Sequence, residues 1–113
     1  EPIRFMPTFE QIYWITKNRK TPFFTGKGFQ YKDIWRINPA RDNEHPAPFP
    51  EEIVARCIYA ACPEKGLVLD PYMGSGTTAL VAKKLGRNYL GIELSAEYIK
   101  IAENRLNNYN PLI

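Results

Sequence analysis

Histidine and cysteine are scarce in these 113 residues, with one of the first and two of the second. Cys57 and Cys62 stand five apart on a predicted helix, where their side chains do not face one another, and no CxxC occurs. That argues against a disulfide framework and against a zinc site, and a reducing cytoplasm fits best. No apolar run approaches the ~20 residues of a membrane span and no signal peptide is visible, so no membrane partner is expected. Internal repeats and low-complexity tracts are also missing, which excludes solenoids and linkers. What remains is the composition of an ordinary globular protein: one small domain, or part of a larger one, able to bury about two-thirds of its unfolded surface.

The net charge of +3 is unevenly placed. Residues 1–41 carry eight Lys/Arg against three Asp/Glu, whereas residues 42–113 carry seven against nine. The N-terminal part is therefore expected to face a polyanion. The chain opens with Glu1 and not methionine, so the numbering is expected to start inside a longer polypeptide or after processing.

Residues 9–16 are rich in β-branched and aromatic side chains and predict a strand. A basic, aromatic loop follows over 17–32, then a second short strand over 33–37. Pro39, Pro46, Pro48 and Pro50 impose an extended path. A helix is predicted over 51–62, with Glu51 and Glu52 in its first turn and Ile53, Val54, Cys57, Ile58 and Ala61 on one face. Next come a strand over 67–70, a turn over 71–76, a helix over 77–85 closed by Gly86, and a strand over 89–93. Ser95 caps a last helix running to about 106, and 107–113 reads as a fraying tail. This β-α-β-α order implies an α/β fold with parallel strands.

The stretch Gly74-Ser75-Gly76-Thr77-Thr78-Ala79 matches G-x-G-x-x-A, and Glu93 lies 19 residues beyond Gly74. Such a turn lets a ligand approach the backbone, and the second acid accepts hydrogen bonds from ribose hydroxyls. A dinucleotide fits poorly. Pro71, Tyr72 and Met73 widen the turn, and Asp70 at the strand end would repel a pyrophosphate. No G-K-[ST] closes a P-loop. An acid there suits a nucleoside carrying an ammonium or sulfonium charge, which points to S-adenosylmethionine.

Taken with His45-Pro46-Ala47-Pro48-Phe49-Pro50-Glu51, the run Leu69-Asp70-Pro71-Tyr72-Met73-Gly74-Ser75-Gly76-Thr77-Thr78 gives the chain a specific likeness. It resembles the C-terminal half of the DNA methyltransferases that modify the exocyclic amine of adenine or cytosine, in their beta-type motif order. Gly86-Arg87, Gly91-Ile92-Glu93-Leu94 and Glu97-Tyr98-x-x-x-Ala102-x-x-Arg105-Leu106 extend the likeness, which is dense over 33–106. Tyr72 stands where the family usually has phenylalanine, which keeps the ring.

The resemblance implies a partial Rossmann-like fold over 1–113: a sheet strand at 9–16, a short basic target-recognition-like segment at 17–44, and a cofactor-binding part at 45–106. It implies S-adenosyl-L-methionine as cofactor, held by His45, Pro46, Ala47, Pro48, Phe49, Asp70, Pro71, Tyr72, Gly74, Ser75, Gly76, Thr77, Thr78, Glu93 and Leu94. Double-stranded DNA is the implied partner, met by Lys17, Arg19, Lys20, Lys27 and Lys32, which alternate with Phe23, Phe24, Phe29 and Tyr31. The setting would be restriction–modification or a solitary methylase.

The family's catalytic tetrapeptide, Asp, Asn or Ser before Pro-Pro and an aromatic residue, does not occur in this sequence. No catalytic residue is therefore assigned, and the chain alone is expected to be inactive. It reads as a fragment of a single-chain enzyme or as one half of a split enzyme, and a homodimer is allowed. A non-catalytic DNA-binding or regulatory subunit that keeps the fold is the alternative, and a nicotinamide-dependent oxidoreductase is a further rival.

Overall fold

The computed structural model describes residues 9–18, 32–39 and 49–111. Five elements follow one another: α1 (Glu51–Ala61), β1 (Leu67–Asp70), α2 (Thr77–Lys84), β2 (Asn88–Gly91) and α3 (Ala96–Asn108). The two strands are parallel and in register, Leu67 opposite Asn88 and Asp70 opposite Gly91. The α/β fold and its parallel strands are thus as the sequence implies.

The eight-residue helix α2 is the centre of the packing. Thr77, Ala79, Leu80, Val81 and Ala82 are all buried, and the helix touches both strands and both other helices. On one side Val81 and Ala82 meet Ile58 of α1, with Val54, Val68 and Leu85 around them. On the other, Ala79 and Leu80 meet Leu106 of α3, with Met73 and Tyr109 beside them. Ile53, Cys57 and Ala61, the rest of the apolar stripe on α1, point instead into an open groove.

The end of α2 is fixed by a Schellman motif. Gly86 N donates to Lys83 O at 3.2 Å and Arg87 N to Ala82 O at 2.8 Å. The Arg87 side chain, only 7% exposed, then turns back beneath α1. Its Nη2 and Nε donate to Cys62 O at 3.0 and 3.3 Å, its Nη1 to Leu85 O at 2.5 Å, and its guanidinium lies over the Tyr59 ring. A buried cation here is satisfied by carbonyls left over at two helix ends, with no carboxylate among the described residues.

Three sequence expectations are corrected. Residues 9–16 form no strand and are exposed: they pair with neither β1 nor β2, which pair only with each other among the described residues. The strand expected at 33–37 is absent as well, the chain bending at 33–34 and pairing with neither strand. The last helix runs on to Asn108, since Leu106 is buried and Lys83 Nζ donates to its carbonyl at 2.7 Å. Smaller shifts occur in β2, which starts at Asn88 and stops at Gly91. There Ile92 still donates to Asp70 O, but its own carbonyl accepts from Met73 N, so the chain leaves β1 for the turn.

Replacing Arg87 with Met removes all the donors to Cys62 O and Leu85 O while keeping much of the side-chain volume. We predict a loss of about 2 kcal/mol in urea unfolding with an unchanged m-value; an unmoved midpoint would contradict this role.

Candidate functional site

The segment between β1 and α2 is a turn pinned at several points. Asp70 Oδ1 accepts from Tyr72 N at 3.0 Å, Met73 N donates to Ile92 O at 3.0 Å, and Gly76 N donates to Met73 O at 3.0 Å. Gly74 (φ +53°) and Gly76 (φ +81°) both occupy the left-handed region, where a side chain would be strained. Their surroundings differ. A Cβ on Gly74 would meet nothing within 4 Å among the described residues, whereas one on Gly76 would stand 2.7 Å from the Ala102 Cβ of α3. Gly74 is thus open to a ligand, and Gly76 is a packing glycine. Gly91 belongs to the second kind, because a Cβ there would run into Met73.

Glu93, two residues beyond β2, reaches across to this turn. Its Oε2 accepts from Gly74 N at 2.8 Å and its Oε1 from Ser95 N at 2.8 Å. The Ser95 N–H is the main cause that holds the carboxyl below the usual glutamate range; the Gly74 and Leu94 N–H groups add to it, and desolvation opposes it. Gly74 and Ser95 take one bond on each oxygen and the Leu94 N–H adds a third, so of the roughly four lone-pair sites the carboxylate keeps one for a further donor. The Ser95 hydroxyl caps α3 by accepting from Tyr98 N at 3.4 Å.

A cavity of about 860 Å³ opens on the α1 side of the turn. Among the residues expected to hold the cofactor, Phe49, Asp70, Tyr72, Gly74, Ser75, Thr77 and Thr78 line it. Phe49 and Tyr72 are largely exposed there and offer apolar rings. The structure does not gather the full expected set in this cavity. Pro71 and Gly76 belong to the turn without lining it, Glu93 lies beyond it, tied in through Gly74, and Leu94 is fully exposed. His45, Pro46, Ala47 and Pro48 lie outside the described residues. So do Arg19, Lys20 and Lys27; Lys17 and Lys32 are exposed. Among the described residues no His/Cys/Asp/Glu group could hold a metal.

Two residues given no role by sequence reasoning belong to the same structure. Met73 crosses the end of β2, and Arg105 reaches from α3 to Ser75 and Thr77 behind the cavity. The motif around Arg105 was visible, but its contact was not, since the partners lie about 30 residues away.

A parallel β-α-β unit with a glycine turn after its first strand places the chain among the α/β proteins that take ligands at that turn. More particularly, it belongs to the N6/N4 methyltransferase family: that family's model, described as DNA methylase, matches residues 1–104. The chain is 40% identical to type II methyltransferase M2.LlaDCHI of Lactococcus lactis subsp. cremoris over 91% of its own length and 44% of that protein's. It is 32% identical to type II methyltransferase M.HinfI of Haemophilus influenzae over 96% and 35% of the two lengths. It thus spans less than half of these relatives. The crystal structure of an M1.HpyAVI–SAM complex matches with a TM-score of 0.55 and 41% identity, covering 58% of this chain and 32% of the other. The structure of TTHA0409 of Thermus thermophilus complexed with S-adenosyl-L-methionine matches at 0.56 and 28%, covering 87% and 39%.

The depressed Glu93 value sets the sign of a pH effect. Its stabilisation is fully present above the unfolded value, near the ordinary 4.5, and is lost as pH falls through the lower folded value. We predict that wild type melts above Glu93→Gln at neutral pH and that the gap closes in acid. A gap that is constant from pH ~7 to pH ~3 would contradict the charged tie.

Proposed function

We propose that this chain is the cofactor-binding portion of a DNA methyltransferase that moves a methyl group from S-adenosyl-L-methionine to the exocyclic amine of adenine or cytosine in duplex DNA. The observation that carries the proposal is the Gly74 turn held between two acids, with Asp70 on the cavity wall and Glu93 bonded to the turn's own amide.

The residues suit this cofactor. Glu93 has acceptor capacity left for a ribose hydroxyl, and among the described residues nothing fills the space beside the Gly74 backbone. The Asp70 carboxylate, with Oδ1 taken by Tyr72 N, offers Oδ2 to an ammonium or sulfonium charge. Gly76 has no side chain to cap α2, so the first-turn amides face the same region uncapped and favour a carboxylate. Phe49 and Tyr72 can cover apolar surface and exclude water from the methyl end. When bound, S-adenosylmethionine supplies an electrophilic methyl carried on sulfur; the chain's residues bind and orient it.

The acceptor nitrogen is weakly nucleophilic because its lone pair is delocalised into the base ring. In this reading the Pro-Pro tetrapeptide that would hydrogen-bond it and stack on the flipped base comes from another segment or a second chain. Three observations support that arrangement. The sequence contains no such tetrapeptide. β1 pairs with β2 alone among the described residues, and Leu67, Leu69 and Leu90 are each more than half exposed on strands that a parallel sheet normally covers on both faces.

The purified 113-residue chain, given labelled S-adenosylmethionine and duplex DNA, is expected to incorporate no tritiated methyl. Turnover would overturn the assignment of catalysis to residues elsewhere. In a thermal-shift assay the complete protein is expected to be stabilised by S-adenosylhomocysteine and not by NAD. The reverse would favour a nicotinamide enzyme.

The same reading gives the basic N-terminal segment to DNA phosphates. In the complete protein, Lys27→Ala and Lys32→Ala should each lower the slope of log K against log salt by about 1. Unchanged slopes would remove both from the interface.

A further inference from the structure

Arg105 lies on the last turns of α3, and its Nη1 donates to Ser75 O at 2.8 Å, Ser75 Oγ at 3.0 Å and Thr77 Oγ1 at 3.1 Å. One turn earlier on the same face, Ala102, 1% exposed, is the residue that a Cβ on Gly76 would strike. α3 therefore seats the glycine turn at two points, one by shape and one by charge. Ser75 and Thr77 line the cavity, and Arg105 does not; it stands behind the wall.

The chemistry of this contact has a direction. A guanidinium can only donate, so the Ser75 and Thr77 hydroxyl oxygens act as acceptors toward Arg105. Their own hydrogens are then left to be donated elsewhere, and both residues contribute to the cavity wall. Accepting from a cation also strengthens each hydroxyl as a donor. The Ser75 carbonyl, an acceptor that would repel an anion, is turned away toward α3 by the same nitrogen.

We infer that Arg105 is a positioning residue that sets Ser75 and Thr77 as hydrogen-bond donors to a carboxylate in the cavity, the amino-acid end of the cosubstrate. The inference rests on the cofactor reading above and adds to it the residue that makes one wall of the pocket selective for an anion. Arg105 touches no ligand itself.

The test compares two ligands by calorimetry on the complete protein. S-adenosylhomocysteine carries the amino-acid end and 5′-methylthioadenosine lacks it. Arg105→Met should weaken S-adenosylhomocysteine about tenfold, the loss of one charge-assisted hydrogen-bond network, and leave 5′-methylthioadenosine within about twofold. Arg105→Lys, which keeps a cationic donor and guards against misfolding of the first variant, should recover most of that loss. Equal weakening of both ligands would mean that Arg105 only maintains the fold, and no weakening of either would mean that it sets nothing; both results overturn the inference. Wild-type protein that binds neither ligand would overturn the cofactor reading itself, and this inference with it.

Discussion

One carboxylate joins the parts of this structure that the function needs to act together. Glu93 stands at the end of β2, accepts from Gly74 in the turn after β1, and accepts from Ser95 at the start of α3. Beside it, among the described residues, the Met73–Ile92 and Ile92–Asp70 backbone bonds and the packing of Met73 over Gly91 tie the turn to the end of β2. Because both of its oxygens already accept from backbone amides, the carboxylate is fixed in direction before any ligand arrives. Preorganisation of that kind reduces the ordering a bound nucleoside must bring about.

The turn is held with equal care from the other side. α2 begins at the turn and is buried along most of its length, and α3 supplies Ala102 and Arg105 beneath it. Cavity-facing groups (Asp70, Ser75, Thr77) are therefore supported by groups facing away from the cavity (Tyr72 N, Arg105). The division follows from elementary accounting. A tight turn exposes backbone donors and acceptors that cannot pair within it, and those not given to a ligand must be given to neighbours. The Ser75 carbonyl goes to Arg105, while the Gly74 amide goes to Glu93.

How much was legible in the sequence depends on how local each cause is. β1 matched its expected bounds, and the ends of α1, α2 and β2 shifted by a residue or two, because caps, glycines and apolar periodicity are short-range signals. Residues 9–16 have the local marks of a strand and form none, because a strand is completed only by pairing and this segment pairs with neither β1 nor β2. Asp70, Gly74 and Glu93 were legible as a constellation from their spacing. The seat that α3 makes was not, since Arg105 meets Ser75 across 30 residues and nothing in the side chain's own neighbourhood announces it. Arg87 is similar: it is buried against the carbonyls that end α1 and α2, and its Cys62 partner lies 25 residues away.

The most direct measurement is a crystal structure of the complete protein grown with S-adenosylhomocysteine. The account predicts a ribose hydroxyl within hydrogen-bonding distance of the Glu93 carboxylate while Gly74 N keeps its bond to the same group. A ribose bound elsewhere, or a Gly74 turn closed over by side chains, would contradict it.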